Sequence, residues 1–135
     1  MAKVRLYHAT PMENLGSIMA EGLKPFFGCV YASTNMDTAA KWMMFTRMWS
    51  REIVVLPFYK DESEIELGYD HSPIMLNIIG ADPEGASYTC DAVAAEDILF
   101  DQAFKYENPH FNQAALDMRN EQLKQMEERR NGNQS

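Results

Sequence analysis

Cysteine is nearly absent from the chain: there are two, Cys29 and Cys90. Their spacing fits no metal-ligand pattern, and two residues cannot build a disulfide framework. Two reduced thiols in a cytoplasmic protein are expected, with a single disulfide as the alternative. Glycine is sparse, seven in 135 residues. None of it forms a phosphate-binding fingerprint at a strand-to-helix turn, which excludes a Rossmann reading. No apolar run approaches the roughly 20 residues of a membrane-spanning helix, and the N-terminus does not read as a signal peptide. Internal repeats and low-complexity linkers are lacking too. Basic residues are almost missing from one stretch: residues 61–107 hold twelve Asp and Glu against one Lys. Residues 1–60 carry seven Lys and Arg against four acids, and residues 108–135 four of each. The acidic middle explains the net charge of −8. Such a field repels nucleic-acid phosphates and attracts basic partners, or serves only as a solvated face.

What is present suits one soluble globular domain, with 46% hydrophobic and 24% charged residues. A chain of this length buries roughly two-thirds of its unfolded surface. "KVRLY", residues 3–7, alternates like a short strand. Thr10 and Glu13 then have capping-box spacing, with Pro11 at the first helical position. Leu15, Ile18 and Met19 make an apolar face and Gly22 a stop, so a helix is predicted over 11–21. "CVYAS", residues 29–33, reads as a strand, and a breaker-free segment predicts a helix from Asp37 to Trp49. "EIVVLPFYK" is a strand in which Pro57 suggests an edge or an end. "SEIEL" alternates, "GYDHSP" is a turn or loop, and "ASYTCDAV" and "DILFDQAF" read as later strands, or a strand and a turn. Asn108 as cap and Pro109 at the first position open a C-terminal helix. Its stripe is Phe111, Ala115, Met118 and Leu123. The expected organisation is an α+β domain over residues 1–108, a helix over 109–130 docked on it by its first half, and a disordered tail over 131–135.

His8 sits where the strand-like run stops, either on its last residue or just past it. Ala9 and Thr10 then offer backbone N–H and C=O groups, and the small Ala9 side chain permits close approach. An amide-bearing ring can pair with both groups of Ala9, while the imidazole can donate to a sugar hydroxyl. A lone histidine is also a common structural residue. Tyr31 and Trp42, eleven residues apart, can face each other across a cleft and clamp a flat cationic ring. The competing expectation is that Trp42, Met43, Phe45, Met48 and Trp49 are simply core.

Together these residues resemble the ADP-ribosyltransferase superfamily, in its diphtheria-toxin and poly(ADP-ribose) polymerase branch. That branch opens with His-Gly-Ser/Thr, followed at fixed offsets by Asn, Ile and Gly-Leu. This chain has His8, Ala9, Thr10, Asn14, Ile18, Gly22 and Leu23 without a gap. A strand Tyr, small residues and then an aromatic form the second motif, matched by Tyr31, "ASTNMDTAA" and Trp42. The resemblance covers about the first third of the chain. It implies a split-sheet α+β fold with two early helices and a C-terminal helix. NAD+ would be the substrate. His8 would hold the 2′-hydroxyl of the adenosine-side ribose, and the Ala9 backbone would pair with the carboxamide. Thr10 would help hold the ribose, and Tyr31 and Trp42 would sandwich the nicotinamide. Asn14 would brace the loop.

Two departures stand out. The family's Gly after His is Ala9. The Glu that opens a late strand in family transferases and supports the oxocarbenium ion would fall near Ala86 or Ser87. Asp91 lies in the same predicted strand, further along. Asp70 and His71 are candidates from a loop, with Glu64 and Glu66 behind them. The expected activity is mono-ADP-ribosyl transfer by a small cytoplasmic enzyme of bacterial or phage-effector type. It would use no metal and engage no membrane. Its unidentified acceptor is more readily a protein than a nucleic acid. One alternative is a non-catalytic interaction protein whose acidic segment 61–107 binds a basic partner. Another is an RNA 2′-phosphotransferase-like enzyme, disfavoured by the acidic middle and by the lack of a paired Arg-His motif.

Overall fold

Six consecutive buried residues, Ile53 to Phe58, mark the centre of the molecule. A strand with one face in water alternates, whereas an unbroken buried run needs cover on both faces. The computed structural model describes residues 2–25, 28–68, 73–81 and 87–132. In chain order the elements are β1 (Lys3–Pro11), α1 (Leu15–Glu21), β2 (Val30–Ala32), α2 (Met36–Thr46) and β3 (Glu52–Asp61). Then come β4 (Glu66–Leu67), α3 (Pro73–Ile78), β5 (Tyr88–Cys90), β6 (Phe104–Glu107) and α4 (Gln113–Gly132). The class is α+β, with two antiparallel three-stranded sheets of order β1-β3-β6 and β2-β5-β4.

Both faces of the first sheet are covered. On one, Ala9, Ile53 and Val55 pack under Ala39, Ala40 and Met44 of α2. On the other, Leu6, Val54, Leu56 and Phe58 pack against Ile18, Leu23, Val30, Ala32 and Cys90, from α1 and the second sheet with their flanking segments. Among the described residues a backbone bridge joins the sheets, where Tyr7 and Ser33 exchange N–H···O bonds of 2.7 and 2.9 Å. Past Ser33 the chain leaves β1. Asn35 accepts from the Thr38 N–H and starts α2.

Several local expectations change. β1 does not end at Tyr7 but continues to Pro11, in unbroken register with β3, so His8, Ala9 and Thr10 are strand residues. The Thr10–Glu13 capping box does not form, because Thr10 is paired with Val54 and buried. Glu13 instead accepts from the Ser50 hydroxyl at 3.1 Å. A short 3₁₀ turn, Met12–Asn14, intervenes before α1. Met19 is exposed rather than part of the apolar face. Pro57 lies in the central strand, yet it costs no ladder bond. Its β1 partner Tyr7 bonds away from β3, β6 pairs only with Glu52–Val55, and the Pro57 carbonyl accepts from the Leu99 N–H. α3 was not expected. "SEIEL" splits into a 3₁₀ turn and β4, and "DILFDQAF" is mostly 3₁₀ turns leading into β6.

The C-terminal helix starts at Gln113, not Pro109, and Asn112 is the residue that caps it, accepting from Ala115 N–H at 3.2 Å. Asn108 is used elsewhere. It is buried, and its amide donates to the carbonyls of Met44, Arg47 and Ser50, closing the end of α2. Within α4 the half-buried residues Ala115, Leu116 and Arg119 lie in the first half, and residues 121–132 are exposed. Both cysteines are free thiols, and burial pushes that of Cys90 up. Among the described residues no helix is long and apolar enough to cross a membrane.

Candidate functional site

A cleft of about 540 Å³ opens where the two sheets part. That volume lies in the range of small-molecule and cofactor sites. Its floor is β1 from Tyr7 to Pro11. One wall is a stripe of α2, Ala39, Trp42 and Met43, spaced to share a helix face and continued by Arg47 just past the helix end. The other wall comes from Cys29 to Ser33, around β2. Leu23, Lys24, Asn14, Trp49 and, from α4, Arg119 complete the lining. His8, Ala9, Thr10, Tyr31 and Trp42 are thus brought to one cavity.

The alternation of an antiparallel strand decides what Ala9 offers. Tyr7 sends its N–H and C=O away from β3, to Ser33. The register runs without a bulge, so Ala9, two residues on, points its N–H and C=O the same way. There β2 has already diverged into α2. Neither group of Ala9 has a partner among the described residues, although Ala9 is only 5% exposed. A buried, unpaired backbone group costs about 1–3 kcal/mol, so this donor–acceptor pair is strongly disposed to a ligand with the complementary pair.

His8 faces the opposite side of the sheet, toward β2. Its Nδ1 lies 2.7 Å from the Tyr31 carbonyl oxygen. A carbonyl only accepts, so Nδ1 carries the proton and Nε2 is left as an acceptor in the neutral ring. Burial lowers the His8 pKa below its ordinary value, while the bond to Tyr31 pulls the other way. The neutral form is therefore the working form at pH 7. With Nδ1 committed to Tyr31, the neutral ring offers an acceptor at Nε2 in place of the donor expected from the sequence. Thr10, buried beside it, accepts from Asn14 Nδ2 at 3.0 Å, which keeps its hydroxyl hydrogen free to donate. Trp42 serves two environments, lining the cleft and packing against Leu76 and Ala81 near α3.

The candidate acids do not join this group. Asp91 is exposed in the bend after β5 and does not line the cleft. Glu64 caps a turn and pairs with Lys60 at 3.8 Å, and Glu66 is an exposed residue of β4. Ser87 is buried just before β5, outside the lining. Asp70, His71 and Ala86 lie outside the described residues. No described lining residue is a carboxylate, and no described cluster could hold a metal ion.

Sequence reasoning missed Arg47, Trp49 and Arg119. For Arg47 a signal existed, since it follows Met43 by four residues within the predicted helix, in line with the face that Trp42 occupies. Arg119 had none, because a tertiary contact brings α4 to the cleft. Compared with models of protein families and with curated proteins, the chain matches neither.

Proposed function

We propose that the cleft binds NAD+ and that the protein is a mono-ADP-ribosyltransferase of the superfamily its first third resembles. The observation that carries this reading is the unpaired, buried N–H and C=O of Ala9 at the floor of an aromatic-lined cleft. A primary carboxamide is the simplest group that satisfies both at once, accepting from the N–H and donating to the C=O. Nicotinamide presents it on a flat cationic ring, which suits Tyr31 and Trp42 as walls. A ribose hydroxyl would donate to His8 Nε2, with Thr10 beside it. In the reaction the bond from the ribose anomeric carbon to the nicotinamide nitrogen breaks, and its electron pair neutralises the pyridinium. The oxocarbenium-like carbon is then attacked by an acceptor nucleophile, which loses its proton. The acceptor class that fits an acidic surface is a protein with basic character.

The test is calorimetric titration with NAD+ of the parent and of His8→Ala, followed by transfer of labelled ADP-ribose into a cell extract. Binding by the parent and none by the variant is expected. If neither binds, the second reading gains, an interaction protein for a basic partner. It is favoured by the exposure of Glu62, Glu64, Glu66, Glu96, Asp97 and Asp101 in the acidic segment.

A further inference from the structure

Cations gather on the cleft of a chain whose net charge is −8. Lys24 is exposed and pairs with Glu21 at 3.3 Å, so it is largely accounted for. Arg47 and Arg119 are not: both are half-buried, and neither has a carboxylate partner among the described residues. Arg47 follows the last residue of α2, where a cation complements the helix dipole. The carbonyls there are already met by the Asn108 amide, however. The Arg47 guanidinium itself makes one bond, Nη1 to the Thr46 carbonyl at 3.3 Å. Arg119 arrives from α4 and lies over Trp49, its guanidinium carbon 3.7 Å from the ring centroid. Stacking occupies the flat face and leaves the in-plane N–H fork available.

The two guanidiniums are close enough to act on each other. Burial lowers the Arg47 pKa, and the Arg119 charge lowers it further. An arginine does not deprotonate at neutral pH, so both guanidiniums on the cleft lining stay charged. The Glu13 carboxylate accepts from the Ser50 hydroxyl at 3.1 Å and does not line the cleft.

We infer that Arg47 and Arg119 form a two-arginine anion site on the cleft that holds the diphosphate of a nucleotide. That the same nucleotide carries nicotinamide to Ala9 rests on the reading above. The diphosphate site itself does not, since its residues, geometry and charge are independent of the Ala9 floor. α4 would then be a part of the binding site, closing it through Arg119.

Titration calorimetry with three probes tests this: inorganic pyrophosphate, inorganic phosphate and NAD+, each against the parent, Arg47→Gln and Arg119→Gln. Thermal unfolding confirms that each variant is folded, with Arg47→Lys and Arg119→Lys as replacements for any that is not. The parent should bind pyrophosphate more tightly than phosphate. Each Gln variant should weaken pyrophosphate binding on the order of tenfold, the worth of a charge-assisted hydrogen bond. A parent that does not bind pyrophosphate overturns the proposal, as do variants that bind it unchanged. Phosphate bound as tightly as pyrophosphate overturns the assignment to a diphosphate. Pyrophosphate binding that depends on both arginines, without any NAD+ binding, upholds this site and sinks the nicotinamide reading alone.

Discussion

At His8 one hydrogen bond sets the chemistry of the other ring nitrogen. Because Nδ1 donates to the Tyr31 carbonyl, Nε2 accepts only while the ring is neutral. Burial holds its pKa below the ordinary value of about 6.5. The unfolded chain therefore takes up this proton more readily than the folded one. The His8 contribution to stability is complete above pH about 6.5 and is lost as the pH falls toward the lower folded value. An NMR titration of the imidazole should show a midpoint below 6.5. NAD+ affinity should decline through the same interval. A midpoint at or above the ordinary value would mean a solvated ring and would remove the proposed acceptor. Trp42 poses a different question, since it touches both the cleft and the Leu76–Ala81 cluster. Trp42→Ala should weaken NAD+ by roughly 1–3 kcal/mol, the worth of a lost stacking partner, and also lower the melting temperature. A lower melting temperature with unchanged affinity would make Trp42 a core residue only.

Elements in this protein end where tertiary partners say so. Gly22 stops α1 with φ +76°, and a Cβ there would collide with the Val93 carbonyl and the Ala95 nitrogen. Both obstacles are backbone, so Gly22→Ala should cost at least about 3 kcal/mol in denaturant unfolding. A loss below about 1 kcal/mol would show that the 93–95 segment yields. Asn108→Ala removes the donors for three carbonyls around the end of α2 and should cost roughly 2–3 kcal/mol. The Gly22 stop was legible because the left-handed φ that glycine supplies is a local property. Asn108 was misread as a helix cap for the opposite reason. Nothing local distinguishes an amide that starts one helix from an amide that ends another 60 or so residues earlier. Thr10 and Glu13 fail as a capping box on the same ground: the β3 ladder claims Thr10, and Ser50 claims Glu13. Pro57 was read as an edge signal and is one locally, although its strand is central.

On the scale of the whole molecule, the site divides into a part carried by contiguous sequence and a part made by packing. His8, Ala9, Thr10, Tyr31 and Trp42 come from the first third of the chain and reach one cleft through the Tyr7–Ser33 bridge between the sheets and the packing of α2 on β1 and β3. Arg119 belongs to the far end and reaches the same cleft only because α4 lies against Trp49. That asymmetry makes truncation informative. Residues 121–132 are exposed throughout, so a chain ending at residue 120 should keep its stability to within about 0.5 kcal/mol. It should keep its ligand affinity as well. A chain ending at residue 112 loses Arg119 and the stack on Trp49, which is worth about 0.5–2 kcal/mol. At one fixed excess of NAD+ the melting temperature of a chain that binds it rises with the logarithm of its affinity. The shift should match that of the parent in the longer truncation and shrink sharply in the shorter one. Equal shifts in both would make α4 an appendage rather than a wall of the cleft. A reduced shift already at residue 120 would mean that the exposed half of the helix acts on the site through its three basic and three acidic side chains.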